Sequence, residues 1–231
     1  MTTTIGELEL LTRRMRGKLV ELSHRAKTPH LGSSLSCVDI MAAAYHVLNT
    51  NPGNWTDPCR DRFVLSKGHA ATTLYVALAM HGFISAEMLD TYAKPGSPLA
   101  EHPSPGVPGI ENASGSLGHG LGLGTGMALA ANIQDRDYKV CVLMSDGECN
   151  EGSVWEAAMF APIHRLEKLV AVIDYNKWQA TGRSNEIMCL APLREKWAAF
   201  GWSAHDVDGH NLEELCRRLQ NVPDGSGKPV A

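Results

Sequence analysis

Beyond residue 117 the sequence alternates short apolar segments with segments of helix length, and this alternation restricts the possible folds most strongly. The runs "VCVLMS" (140–145) and "LVAVIDYN" (169–176) are largely apolar until each reaches a polar residue, which is typical of buried strands. Helices of ten or more residues between such strands favour crossover connections and a parallel sheet. The sequence therefore predicts the α/β class, with one parallel sheet covered by helices on both faces.

The chain is predicted to form one domain over residues 1–231, because single α/β domains commonly reach this length. Helix signals cover 5–27, 37–48, 69–81, 117–133, 151–165, 191–200 and 211–221, and a short helix should follow Ser85. Strand signals cover 62–66, 139–144, 169–175 and 202–207, and a last strand should begin at Pro229. Ser36 is the expected cap of the second helix. Segment 94–116, rich in proline and glycine, predicts a long irregular loop of the kind that often carries function.

Charge and cysteine content argue against several functions. The net charge is −4, and Lys and Arg form no cluster beyond short pairs, so the chain lacks the positive surface that binds nucleic acid. Its six cysteines show no Cys-x-x-Cys spacing and are expected to be reduced thiols. Charged residues run through the N-terminal helix, which resembles neither a signal peptide nor a membrane span. We expect a cytoplasmic protein with no nucleic-acid or membrane partner.

Asp146 and Asn176 follow the two apolar strands and lie 30 residues apart. A helix of about 15 residues carries the chain roughly 22 Å away and a strand returns it, so both residues should lie at one sheet edge. Ligands bind at the carboxyl ends of parallel strands, and a carboxylate beside an amide oxygen suits Mg²⁺ holding a diphosphate. Either residue alone is also a common turn or helix-cap residue, and that explanation remains open at this point.

The stretch "SGSLGHGLGLGTGMALAA" (114–131) places repeated glycines at the start of a helix. Backbone N–H groups at such a start can approach and bind phosphate. For Gly122, Gly124 and Gly126, deeper in the helix, close packing against another element is the preferred explanation. A dinucleotide-binding fold is disfavoured, because Gly-x-Gly-x-x-Gly does not occur here in any register and no clear strand leads into the glycines.

The segment "SDGECNEGSVWEAAMFAPIHRLEKLVAVIDYNKWQATG" (145–182) resembles the thiamine diphosphate signature, in which Gly-Asp-Gly is followed at a similar distance by Asn, and transketolase in particular. "TPHLGSSLSCVDIMAA", "LSKGHAATTLYVALAMHG" and "EHPSPGVPGIENASGSLGHGLGLGTGMALA" are similar to transketolase motifs in the same order, so the resemblance covers residues 10–229. It implies a thiamine diphosphate-binding fold, as the diphosphate-side domain. Ser145 replaces the first glycine of the signature, where only positive φ would exclude serine.

The resemblance implies a metal and diphosphate site. Asp146, Asn176 and the backbone carbonyl of Trp178 would coordinate Mg²⁺. Gly147 would approach the diphosphate, which Asn176 would contact as well. Glu151 matches an acidic residue at the cofactor interface between subunits.

The resemblance also implies which residues lie beside the rest of the cofactor. His69 would meet its diphosphate end, while Gly115, Ser116 and Leu117 would border the aminopyrimidine. No role follows for His119.

Three histidines are the candidate catalytic residues: His30, His69 and His102. The resemblance places His30 and His102 against the sugar substrate. Imidazoles suit this task because they can donate to a sugar oxygen and shuttle a proton near neutral pH.

The implied activity is a thiamine diphosphate- and Mg²⁺-dependent transketolase reaction of the pentose phosphate pathway, which moves a two-carbon ketol unit from a ketose or its phosphate to an aldose or its phosphate. In this family the carboxylate that activates the aminopyrimidine lies in a second, pyrimidine-binding domain, which this sequence does not contain. The resemblance therefore implies the N-terminal subunit of a split transketolase, active with a C-terminal, pyrimidine-binding subunit in a heterotetramer built as a dimer of pairs. The sequence is also expected to lack the final segment of its own domain, because it stops at "GSGKPVA" where one more strand and histidine would follow.

Two other functions remain open from the sequence. The α subunit of a thiamine-dependent 2-oxo acid dehydrogenase shares the Asp/Asn metal pair, but the set His30, His69 and His102 disfavours it. A cofactor-binding subunit without turnover of its own is disfavoured by the intact pair of Asp146 and Asn176.

Overall fold

The computed structural model describes residues 4–231. Its helices are α1 Ile5–Ala26, α2 Leu31–Ser36, α3 Val38–Val47, α4 Ala71–Met80, α5 Ala86–Leu89, α6 Gly120–Ile133, α7 Gly152–Ile163, α8 Ser184–Ile187, α9 Leu193–Ala199 and α10 Leu212–Gln220. Its strands are β1 Arg62–Leu65, β2 Val140–Ser145, β3 Leu169–Asp174, β4 Trp178–Gln179 and β5 Gly182–Arg183. Short 3₁₀ helices span Pro52–Asn54, Gly68–Ala70 and Gly147–Asn150. No helix within residues 4–231 is long and apolar enough to cross a membrane.

β1, β2 and β3 form one parallel sheet in that order, which confirms the predicted α/β arrangement. Leu65 pairs with Leu143, and Ser145 at the end of β2 pairs with Asp174 at the end of β3. β4 and β5 form a separate antiparallel pair just after β3. The carboxyl ends of β2 and β3 therefore lie side by side at one edge of the sheet.

The strands predicted at 202–207 and after Pro229 are wrong as extended strands. They are reduced to single bridges in which Val230 pairs with Val170 on one side and with Ser203 on the other. A strand needs a neighbouring backbone along its length, and only this short stretch reaches both sides. A cavity of about 730 Å³ lies beyond it, between β3 and residues 204–210.

Alternate residues of each strand face two different hydrophobic cores. Phe63 and Leu143 pack in one core with α1, α3, α4 and α10. Val64 and Val142 pack in the other core with α6, α7 and α9. The sheet is thus covered by helices on both faces, as the apolar character of the strands predicts.

The predicted helices all form, with boundaries that shift by at most three residues. Ser85 caps α5 as expected, because its hydroxyl accepts the N–H of Met88 at 3.1 Å. Ser36 does not cap α3: it is the last residue of α2, and its hydroxyl donates to Oδ2 of Asp174 at 2.5 Å. That buried carboxylate takes the hydroxyl which a cap would need.

The glycines of α6 differ in their surroundings. A Cβ atom added to Gly124 would overlap with Val142 of the sheet, so this glycine allows the helix to lie close to β2. A Cβ atom added to Gly122 or Gly126 would meet nothing within 4 Å. The packing explanation therefore holds for Gly124 and is wrong within this chain for Gly122 and Gly126.

We expect opposite effects from two alanine substitutions in α6. Gly124→Ala should lower the free energy of unfolding by about 1–3 kcal/mol, because the added methyl group overpacks the contact with Val142. Gly122→Ala should raise it by about 0.4–1 kcal/mol, since the site is open and alanine loses less backbone entropy in a helix. Urea denaturation of both variants measures this, and equal effects would contradict the close packing at Gly124.

Candidate active site

Asp146 follows β2 directly and is fully buried. Its Oδ1 accepts the N–H of Gly147 at 2.8 Å, and its Oδ2 accepts the N–H of Lys177 at 3.0 Å and the hydroxyl of Ser184 at 2.7 Å. The backbone N–H of Asp146 donates to the carbonyl of Asp174 at 3.2 Å. The carboxylate is therefore held between the ends of β2 and β3 and the start of α8.

Asn176 lies at this same edge, as its distance from Asp146 in the sequence predicts. It is half-buried, and its Oδ1 accepts the N–H of Trp178 at 2.9 Å. Between them, Lys177 has φ +69°, so the chain turns sharply after β3. Trp178 begins β4 and is 59% exposed, so only its backbone lies toward the edge of the sheet.

The side chain of Gln179 lies against Gly147. A Cβ atom added to Gly147 would come within 2.8 Å of Cγ of Gln179, so no larger residue fits there. The amide nitrogen of Gln179 is buried and finds no partner among residues 4–231, and neither does the buried hydroxyl of Ser114. Such atoms leave hydrogen-bonding capacity at the edge for a polar ligand.

The available donors suit a hard cation better than a soft one. Within the described part of the chain, no three His, Cys, Asp or Glu side chains are grouped as a metal site. The edge offers instead one carboxylate, one amide oxygen and backbone carbonyls, at Asp146, Asn176 and Trp178. Magnesium binds with few protein oxygens and completes its octahedron with water and phosphate, so these residues fit Mg²⁺ and a diphosphate.

The three candidate catalytic histidines come together. The ring centroids of His30 and His69 are 4.6 Å apart, and those of His69 and His102 are 5.1 Å apart, each pair edge to face. His30 is exposed with φ +71° before α2, whereas His69 and His102 are half-buried. Burial, and then the neighbouring His30, His102 and Lys67, lower the pKa of His69. His69 is therefore held toward its neutral form.

Residues 115–117 lie beside these histidines. A Cβ atom added to Gly115 would lie 3.2 Å from the His102 ring, and one added to Gly68 would lie 2.6 Å from the backbone nitrogen of Gly115. Gly115 and Ser116 also line a cavity of about 260 Å³, which His119 borders. Leu117 is half-buried in the same loop.

Glu151 lies on the other side of this loop. Its carboxylate side chain is exposed just before α7, and a Cβ atom added to Gly118 would lie 2.7 Å from Cβ of Glu151. The glycine loop therefore separates the histidines from Glu151.

The predicted phosphate cradle at the start of α6 is wrong for two of its N–H groups. Gly118 donates to Oε1 of Glu148 at 2.8 Å, and Gly120 donates to the hydroxyl of Ser66 at 3.0 Å. Protein side chains already bind these donors, so they are not available to a phosphate. Burial raises the pKa of the Glu148 carboxyl, although the hydrogen bonds from Ser66, Gly118 and Ser145 act in the opposite direction.

Sequence reasoning also missed Lys67, which is almost completely buried. Its ammonium donates to Oδ2 of Asp174 at 2.5 Å and to the carbonyl of Ser33 at 3.0 Å. It thus ties the segment that carries His69 to the end of β3. A lysine between a buried strand and the "GHA" turn was the available signal in the sequence.

Comparison with known proteins agrees with this geometry. A family model described as the transketolase thiamine diphosphate binding domain matches residues 10–230. One of the two subunits of the apulose-4-phosphate transketolase of Phocaeicola vulgatus is 44% identical over 226 residues, which cover 97% of this chain and 80% of that protein. The 6-deoxy-6-sulfo-D-fructose transketolase subunit SqwG of Clostridium sp. is 43% identical over 202 residues, which cover 87% of this chain and 74% of that protein.

Solved transketolases have the same fold. The transketolase from Campylobacter jejuni superposes with a TM-score of 0.90 at 28% identity, covering 97% of this chain. This chain spans only 37% of the length of that enzyme. The family model, the relatives and the fold agree, and the chain therefore belongs to the transketolase family, as its N-terminal, thiamine diphosphate-binding part.

Proposed function

We propose that this chain is the cofactor-binding subunit of a thiamine diphosphate- and Mg²⁺-dependent transketolase, which transfers a two-carbon ketol unit from a ketose or its phosphate to an aldose or its phosphate. The observation that carries the proposal is the contact of His30, His69 and His102 beside a sheet edge that presents Asp146 and Asn176. A histidine set suits proton transfer to sugar oxygens, and the edge suits a metal-bound diphosphate.

The residues at the edge would hold the metal and the diphosphate. Asp146, Asn176 and the Trp178 carbonyl would bind Mg²⁺, whereas the bare backbone of Gly147 would let the diphosphate approach. His69 would donate to the diphosphate end. The hydrogen bonds from Lys177 and Ser184 orient the Asp146 carboxylate before any ligand arrives.

The histidines and the glycine loop would serve the reacting end. Bound thiamine diphosphate supplies a nucleophilic carbon and an electron sink. His30 and His102 would donate to the sugar oxygens and move protons at them, while residues 115–117 would border the aminopyrimidine. Glu151 would contact the partner that closes this side.

The partner would be a separate pyrimidine-binding subunit, and the assembly a heterotetramer of two such pairs in the cytoplasm. Two relatives are named as transketolase subunits, which supports a two-chain enzyme. α7, which begins beside Glu151, exposes the apolar side chains of Met159, Phe160 and Ile163. Exposed apolar side chains grouped in this way are typical of protein interfaces.

We expect Asp146→Asn to abolish Mg²⁺-dependent binding of thiamine diphosphate, because an amide cannot supply the charge of the carboxylate to the metal. Ser184→Ala keeps that carboxylate and loses only an orienting hydrogen bond, so its affinity should fall by about tenfold. Isothermal titration calorimetry with and without Mg²⁺ measures both. Wild-type affinity in Asp146→Asn would show that the metal assignment is wrong.

His69 should make the chain less stable in acid. Its pKa is lowered in the native state, chiefly by burial, so the unfolded chain binds a proton at higher pH than the native chain does. The free energy of unfolding should therefore fall as the pH drops through the ordinary histidine pKa of 6.5. His69→Asn should show a smaller fall in urea denaturation between about pH 8 and pH 5. An unchanged pH dependence would contradict the role of His69.

The two-chain assembly is tested by reconstitution. Alone, this chain should bind the cofactor weakly and turn over nothing, because it contributes no carboxylate on the pyrimidine side. With a C-terminal transketolase subunit it should transfer ketol units from a ketose phosphate to an aldose. The assay compares each chain alone with the mixture, and Asp146→Asn in the mixture serves as control. Full activity of this chain alone, verified free of partner, would overturn the proposal.

A further inference from the structure

Glu148 is a fully buried carboxylate that the proposed reaction does not use. Its Oε1 accepts the N–H of Gly118 at 2.8 Å and also the hydroxyl of Ser66. Its Oε2 accepts the N–H of Ser145 at 3.3 Å. These donors belong to the glycine loop, to the residue after β1 and to the end of β2, so one side chain joins three segments.

Ser66 extends this network into α6. Its hydroxyl oxygen accepts the N–H of Gly120 at 3.0 Å, and its hydroxyl hydrogen therefore points to Glu148. The loop is also packed too tightly to shift: a Cβ atom added to Gly120 would overlap with Ser66. The hydroxyl of Ser153 binds the carbonyl of Gly118 at 2.8 Å from the opposite side.

The carboxylate lies where a bound anion would otherwise lie. N–H groups at the start of a helix carry partial positive charge and attract anions, and here Glu148 and Ser66 take those of Gly118 and Gly120. The same bonds fix the residues between Ser114 and Gly120, which line the cavity beside the histidines.

We propose that Glu148 is a positioning residue that holds the loop of residues 114–120 in the conformation that accepts the aminopyrimidine side of the cofactor. This inference rests on the proposed function, because it concerns the same cofactor. Glu148 acts through the backbone of the loop and touches no reacting atom. Its hydrogen bonds connect this loop to the residue pair Ser145 and Asp146, so the two halves of the cofactor site are held in one network.

Glu148→Gln tests the role with little change in shape. The amide offers one acceptor oxygen in place of two, and its NH₂ group must face an N–H or O–H donor whichever way it is turned. Asp61→Asn is a matched control, because Asp61 is a buried carboxylate that accepts the N–H groups of Asn49 and Lys139 at 2.7 Å each. Asp61 lies just before β1, at the opposite edge of the sheet.

Two measurements on the full chain decide the question. In Glu148→Gln, hydrogen–deuterium exchange should increase in peptides covering 114–120, and affinity for Mg²⁺–thiamine diphosphate should fall at least about tenfold. Asp61→Asn should lower the melting temperature but leave both readouts close to wild type. Should Glu148→Gln fail to fold, Ser66→Ala removes one donor of the same network and should change both readouts in the same direction by less.

The outcomes separate this inference from the proposed function. Lower stability of Glu148→Gln with wild-type loop exchange and cofactor affinity would overturn the positioning role. Absence of thiamine diphosphate binding in the wild-type chain at millimolar cofactor, also with the partner subunit present, would instead overturn the proposed function. The exchange data would then still show whether Glu148 holds the loop.

Discussion

The carboxylate of Asp146 accepts hydrogen bonds from Gly147, Lys177 and Ser184, and most of the candidate site depends on this arrangement. It is possible only because β2 and β3 are parallel neighbours that end at the same level, with Ser145 opposite Asp174. A shift of register would move the turn at Lys177 away from the carboxylate and leave a buried charge without donors. Such a loss is costly in a protein interior, so the register and the site stabilise each other.

Buried charge at this edge exceeds what the fold itself requires. Three buried carboxylates, those of Asp146, Glu148 and Asp174, lie near one buried ammonium, that of Lys67. Burial acts to lower the pKa of Lys67, but the neighbouring Cys37 and Asp174 raise it on balance, so the ammonium remains charged. Carboxylates that outnumber cations in a buried cluster favour a divalent metal, which agrees with the Mg²⁺ proposed here.

The sequence predicted what is local or periodic. Apolar runs identified β2 and β3, and residue counting placed Asp146 and Asn176 at one edge. The contact of Lys67 with Asp174 joins residues 107 positions apart, and that of Glu148 with Ser66 joins residues 82 positions apart. No periodicity reports such pairs, because burial patterns show which side a residue faces and not which side chain it meets. For the same reason Gly118 and Gly120 were expected to bind phosphate, although side chains of the protein bind their N–H groups.

The site has a built interior and an open side. Asp146, Glu148 and Lys67 are buried and fully engaged, whereas His30 and Glu151 are exposed on the side away from the sheet. Proton transfers to a sugar proceed best where water is excluded, and this chain by itself leaves water in contact with its histidines. Folding would thus prepare the metal and diphosphate end of the site, and association with a second subunit would close the reacting end. An enzyme divided in this way would couple its chemistry to assembly, because neither chain alone would both hold the cofactor and exclude water.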